Sequence, residues 1–414
     1  MSTRRQLDPA TEPATLACLR RELHRIPEIG LQLPKTQARL VRELEQLGLE
    51  FTTGSAISSI VAIVRGAGRG PAVLLRADMD ALPLLEPEGV DYRSEHEGAM
   101  HACGHDIHMA GLIGAARILT AQRHTFNGDV VLMFQPGEER RGGARIMIED
   151  GVLDAAHQRV GAAFAVHVGP GRLGQFMTRP GTLLAGSNEL RVTIHGKGGH
   201  GSTPHTARNP VPVLIAVATA IERFTSERVN PFDPVIATTT LLRAGELVNV
   251  IPEEAQLAAT VRTLSEENVG LIRDELVPLI SNIAEAHGTR ASVDFIVDYP
   301  VMVNDPSLTS RAGEIIRTHY GADRFELLAE PRMGSEDFAY VAQSVPSSMI
   351  FIGCSPEDID LHSAASLHSP QVLLDDSVLD DHATLLANLA MDWLTTGAHP
   401  SSSQPDDIAA PKVR

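Results

Sequence analysis

The stretch "AVLLRAD", residues 72–78, decides the fold. Its apolar residues do not alternate with polar ones, as they would in a strand that shows one face to water. Such a run predicts a strand covered on both faces. The runs "DVVLMFQ" (129–135), "AAFAVHV" (162–168) and "SSMIFIG" (347–353) share that texture, and "SIVAIVRG" (59–66) is also strand-like. Helical stretches separate them. Residues 14–48 read as helices broken at Pro27 and near Pro34. A stripe of Ile107, Ala110, Gly111, Gly114 and Ile118 marks another helix, which Asp106 is placed to cap. Apolar strands alternating with helices predict an α/β domain with a mostly parallel sheet.

The strand ends carry the chemistry. Asp78 and Asp80 stand at the end of the 72–78 run, and Glu138 and Glu139 follow 129–135. His167 ends 162–168, and His368 follows 347–353 after a loop. Open α/β sheets bind ligands outside the carboxyl ends of their strands. Separate runs thus deliver acids and imidazoles to one edge.

Between residues 187 and 297 the texture changes. "ELRVTIHG" alternates, and a helix follows over 210–226. Two strand runs come next, "PVIATTTLLRAG" and "AQLAATVRTL", then a helix over 266–287 with a proline inside it and a last strand, "ASVDFIVDY". That β-α-β-β-α-β order predicts a ferredoxin-like domain inserted into the first. A chain of 414 residues is too long for one ordinary core. The expected organisation is a catalytic domain in two pieces, 1–186 and 298–398, around an insert at 187–297, with a polar tail at 399–414 read as disordered.

Composition narrows the function. A net charge of −17 opposes a nucleic-acid partner, because that binding rests on basic surface. Cys18, Cys103 and Cys354 are too few and too odd in number for a disulfide framework, which points to a reduced, cytoplasmic setting. No apolar segment follows the N-terminal arginines, so no secretory signal is expected. Nor is there a run of about 18 apolar residues to predict a membrane span.

The segment "HACGHDIHMA" (101–110) crowds His101, Cys103, His105, Asp106 and His108 together. In an extended segment Cys103 and His105 project to one side. Thiolate, imidazole and carboxylate together suit a divalent transition metal. Glu138 and Glu139 are adjacent and cannot point the same way in a regular element, so one can bind metal while the other faces a substrate. Cys103, His105, Glu139, His167 and His368 exceed what one tetrahedral site needs once a water is added. Two metals about 3.5–4 Å apart, sharing ligands, would use them; a single filled site is the open alternative. His24, His195, His287 and His362 read as structural, and His101 and His108 as supporting residues. Cys103 as a thiol nucleophile beside His101 or His105 has the right residue types, but leaves Glu139, His167 and His368 without a role.

In chain order, "LRRELHRIPEIG" (19–30), "LRADMDALP" (75–83), "AMHACGHDIHMA" (99–110), "FQPGEE" (134–139), "AVHVGP" (165–170), "GKGGHGSTPH" (196–205), "NVIP" (249–252), "MGSEDFAY" (333–340) and "LHSP" (367–370) complete the pattern. With them the chain resembles the metal-dependent aminoacylase/carboxypeptidase family. The resemblance is to its N-acyl-amino-acid amidohydrolase branch, which includes hippurate hydrolases and plant hydrolases of auxin–amino-acid conjugates. It runs from about Leu19 to Trp393. It implies that Cys103, His105, Glu139, His167 and His368 bind two divalent ions (Mn, Zn, Co or Ni). It implies that Glu138 is general base and acid, supported by Asp80. His200 would reach into the partner subunit's site of a homodimer and hold the oxyanion. Asn249 and Arg262 would hold the substrate carboxylate, and the inserted domain would serve as lid and dimerisation unit.

The implied reaction is hydrolysis of the amide bond of a small N-acyl amino acid by a metal-bound hydroxide, with Glu138 passing the proton to the leaving amine. A dipeptidase or carboxypeptidase is the alternative within the family. A non-catalytic metal-binding protein is the alternative outside it, and Glu138 speaks against that, since a binder needs no free carboxylate beside its metal. Gly137, Gly169 and Gly201 depart from the family by standing where larger side chains are usual. They imply room for a larger acyl group or a shifted loop.

Overall fold

The computed structural model describes residues 15–396. The N-terminal arginines and the tail read as disordered lie outside the described residues. Two helices come first. Leu16–Arg25 is capped by the Thr15 hydroxyl, which accepts from the Cys18 N–H. Pro34–Gln46 starts on its proline, where a missing N–H costs nothing.

The main sheet has eight strands, ordered Glu50–Thr53, Ile60–Arg65, Asp129–Gln135, Ala72–Asp78, Ala162–Gly169, Ser347–Gly353, Phe176–Thr178 and Phe325–Leu327. The four central strands run parallel. Ile60–Arg65 and Phe176–Thr178 flank them antiparallel. Ala72–Asp78 is buried at every position, as its lack of alternation predicts. Val73, Leu75 and Ala77 join one core with helices His105–Gln122 and Leu379–Thr396. Ala72 and Leu74 join another with Met147 and Phe338. Each buried leucine contributes about 1.5–3 kcal/mol, so the strand is anchored from both sides and its acidic end is held in place.

Helix His105–Gln122 corrects one expectation. It is capped not by Asp106 but by Gly104, whose φ of 84° is left-handed, a conformation glycine adopts without steric cost. A Cβ there would also fall 2.3 Å from Val168 Cγ2. Asp106 lies in the first turn, wholly buried, with its carboxylate 2.7 Å from Arg20 Nε and 2.7 Å from His24 Nδ1. The first turn is buried on all sides rather than along one stripe, and a carboxylate there needs cations around it.

Residues 186–299 build a second, antiparallel sheet, ordered Ile236–Ala244, Glu254–Thr263, Gly186–His195 and Arg290–Tyr299. The chain order is β-α-β-β-α-β, with helix Pro210–Arg228 and a second helical stretch over 266–286. Leu190, Val192, Leu257 and Val261 meet Val217, Ile221 and Ile280 in its own core. The second helix widens into a π stretch, Ile272–Leu276, just before Pro278. The proline has no N–H for the preceding turn, and its ring crowds the carbonyl there. Tyr299 ends this sheet and reaches the first: its hydroxyl donates to the Glu138 carbonyl and accepts from the Gly142 N–H at 3.3 Å. No described helix is long and apolar enough to cross a membrane.

Candidate metal centre

The carboxyl edge of the main sheet gathers the five candidate donors. His105 Nδ1 donates to the Asp80 carbonyl at 2.8 Å, which leaves its Nε2 lone pair free. That nitrogen is buried without a hydrogen-bond partner among the described residues. His167 is fixed in the same way: Nδ1 donates to the Val168 carbonyl at 2.6 Å, and Nε2 lies 3.7 Å from Cys103 Sγ. His368 Nε2 lies 3.3 Å from the same sulfur and 3.0 Å from the Glu139 carboxylate. Its backbone φ of 67° is left-handed, a strain of about 1–3 kcal/mol that clusters at functional sites.

Donor atoms of Cys103, Glu139 and His368 lie within 4.8 Å of one another, as do those of His105, Glu138 and Glu139. His105 and His167 form a third such group with Asp78 and His108. A buried imidazole lone pair left unfilled beside thiol and carboxylate oxygens is suited to a divalent cation, so the residues present fit one. His101 also has both nitrogens buried and unpartnered, but it belongs to none of these groups, and burial pushes its pKa down to about 3. His108 uses both nitrogens, Nδ1 donating to Asp78 at 2.6 Å and Nε2 accepting from the Val168 N–H at 2.9 Å.

Behind the donors stands a charged network that sequence reasoning missed. Buried Arg76 meets Asp78 at 2.6 Å, Gln135 at 2.8 Å, Glu336 at 2.8 Å and Asp337 at 3.0 Å. The signals were present: an arginine inside an apolar strand, and two adjacent acids in "MGSEDFAY". Donor atoms of Glu138, Glu336 and Asp337 lie within 4.8 Å of one another.

The two neighbouring glutamates are driven apart. Burial, then Glu336 and Glu139, push the Glu138 carboxyl well above its ordinary range. Burial also opposes ionisation of Glu139, but His368 and His105 outweigh it and hold that carboxyl lower. Divergent neighbours of this kind mark separate acid–base roles. Burial, then Glu139 and Glu138, push the Cys103 thiol up, the reverse of an activated thiol nucleophile. Burial carries Asp80 up to about 6.

Other expected residues lie elsewhere. His200 pairs with Val250 on a short ladder, and the Asn249 carbonyl accepts from the Gly201 N–H at 2.8 Å, so the two share one groove. Both are exposed. Among the described residues neither makes a hydrogen bond or ion pair with the donor cluster. Arg262 donates to Ser335, the residue before Glu336, at 2.8 Å, and likewise makes no hydrogen bond or ion pair with the five donors among the described residues. The three glycines do not all make room. Gly137 has φ 75° and its Cβ would meet Leu31 Cδ2 at 2.4 Å, so backbone and packing demand glycine. Gly201 is tight against Asn249 O at 3.3 Å. Gly169 alone has space, its Cβ meeting only Leu367 Cδ1 at 3.8 Å.

Residues 74–392 match Peptidase family M20/M25/M40. The chain belongs to this family. It is 35% identical over 395 residues to IAA-amino acid hydrolase ILR1-like 5 of Arabidopsis thaliana, covering 94% of this chain and 88% of that protein. It is 34% identical over 378 residues to thermostable carboxypeptidase 2 of Saccharolobus solfataricus, covering 90% and 94%. The YXEP protein of Bacillus subtilis, a dinuclear metal binding peptidase of the M20 family, superposes with a TM-score of 0.78 at 28% identity, covering 92% of this chain and 98% of that one. As a member of the M20 family the chain is a metal-dependent amide-bond hydrolase. Its mixed α/β fold on a large, mostly parallel sheet is the one M20 structures share.

Proposed function

We propose that this M20 enzyme hydrolyses the amide bond of small N-acyl amino acids. The division of labour between Glu138 and Glu139 carries the reading. Glu139 joins Cys103 and His368, while Glu138 lies deeper, beside Glu336 and Asp337. Cys103, His105, Glu139, His167 and His368 would hold two divalent ions, Mn, Zn, Co or Ni. Bound metal supplies Lewis acidity that makes water acidic near neutral pH. Glu138 takes the water's proton and delivers it to the leaving amine. Asp80 holds the backbone of both glutamates. Arg262, which forms no ion pair among the described residues, clamps the substrate carboxylate, with Asn249 assisting.

We read residues 187–297 as a lid and dimerisation domain set into a catalytic domain of 1–186 and 298–398. Its outer strand, Ile236–Ala244, leaves Leu241 and Leu242 exposed, and the loop after it exposes Leu247 and Val248. An unprotected apolar edge of this kind favours pairing with another chain. In the homodimer so formed, His200 acts in the partner's site as an oxyanion donor. The free thiols of Cys18, Cys103 and Cys354 agree with a reducing, cytoplasmic setting.

The carboxypeptidase among the relatives favours a second reading, cleavage of a peptide's C-terminal residue. One experiment separates the two. Chelated enzyme is reloaded with Mn, Zn, Co or Ni and offered N-benzoyl-glycine, other N-acyl amino acids and dipeptides. Turnover of N-acyl amino acids that vanishes on chelation and returns with metal supports the proposal. Turnover of peptides alone replaces it.

A further inference from the structure

We propose that Arg332 is a specificity-determining residue: while Arg262 holds one carboxylate, Arg332 binds a second and selects N-acyl derivatives of aspartate or glutamate. The inference rests on the N-acyl amino acid reading above and names its substrate class.

Arg332 is half-buried, and its guanidinium carbon sits 4.4 Å over the Phe351 ring. Phe351 is the strand partner of His167, with the two rings 5.8 Å apart. The guanidinium therefore lies one aromatic ring away from a candidate metal ligand. Nη2 reaches Met177 Sδ at 3.6 Å, a weak acceptor. No carboxylate of the described residues forms an ion pair with it. Arginine is seldom drawn out of water without an anionic partner, and Glu326, the acid that acts on Arg332, stays beyond ion-pair distance.

The backbone holds this side chain in register with the site. The Arg332 N–H donates to the Leu183 carbonyl at 2.9 Å, and its carbonyl accepts from the Ala185 N–H at 3.1 Å. Three residues on, Ser335 accepts from Arg262, and Glu336 follows at once. One short segment thus carries an unpaired guanidinium, the contact of a second one, and an acid of the buried network. Neither guanidinium forms an ion pair among the described residues, Asp298 acting on Arg262 only from beyond that distance, as Glu326 does on Arg332; two such groups suit a ligand with two carboxylates. Arg262 takes the α-carboxylate, and Arg332 takes the side-chain carboxylate of the leaving amino acid. A guanidinium that merely packs on Phe351 would not distinguish an acid from its amide.

The test compares N-benzoyl-glutamate with N-benzoyl-glutamine, and the aspartate with the asparagine derivative, on the metal-loaded full-length enzyme. A hydrogen bond to a charged group predicts that kcat/KM favours the acid by about tenfold to a hundredfold, mostly through KM. Arg332→Met should bring the ratio close to one, and Arg332→Lys should keep part of it. Metal content and melting temperature show that the variants are folded, and the wild-type ratio does not depend on them. A wild-type ratio near one, with N-benzoyl-glycine still hydrolysed, overturns this inference alone. A preference that survives in Arg332→Met also overturns it. Failure to hydrolyse any N-acyl amino acid overturns the parent reading and this one with it.

Discussion

Asp80 accepts the backbone N–H of Glu138 at 2.8 Å with one carboxylate oxygen and that of Glu139 at 3.0 Å with the other. One side chain therefore sets the spacing of two glutamates with different surroundings, while its own carbonyl orients His105. Asp80→Ala leaves two buried N–H groups unpaired, at about 1–3 kcal/mol each. Denaturant unfolding should show that loss, and kcat should fall with it. Unchanged stability and kcat would mean the loop holds its shape without Asp80.

Glu138→Ala should lower kcat by about 10²–10⁴, the range for a positioned general acid–base group. Metal content, measured by elemental analysis, should stay near wild type. Loss of metal instead would make Glu138 a ligand and remove it from proton transfer.

Cys103→Ala should strip metal, because the sulfur lies 3.7 Å from His167 Nε2 and 3.3 Å from His368 Nε2. Activity should disappear with the metal. A variant that keeps full metal but loses activity would revive the thiol nucleophile.

Tyr299→Phe removes the hydroxyl that joins the second sheet to the Glu138 loop. The expected cost is about 1–3 kcal/mol, since the Gly142 N–H loses its acceptor and the Glu138 carbonyl its donor. A larger fall in kcat than in stability would show that the contact positions Glu138. Equal stability and kcat in the variant would remove Tyr299 from the site.

His200→Ala and Glu138→Ala should each be inactive alone and recover activity when mixed, provided hybrid dimers form. Hybrids without activity would place His200 in its own subunit's site.

Near-continuous apolar runs and local alternation were enough to read the strands, because whether one face or two is buried leaves its mark on neighbouring positions. The donor positions were legible for the same reason: Asp80 and Glu139 stand just past such runs and His167 at the end of one, where the edge of an open sheet must lie. The partners of Asp106 were not. Arg20 and His24 come from the first helix, far back in the chain, and convert an apparent helix cap into a buried ion-pair centre.

By itself the sequence determined where strands run, which edge they carry their acids to, and which donors crowd near residue 101. Only the tertiary structure decided which side chains meet. Arg76 finds Glu336 at a separation of 260 residues, and His368 finds Cys103 at 265. It also left His200 and Asn249 together but away from the donors, and showed that Gly169 has space where Gly137 has none. Periodicity records that a face is buried. Hydrogen bonds and ion pairs depend on distances between segments that no local pattern encodes.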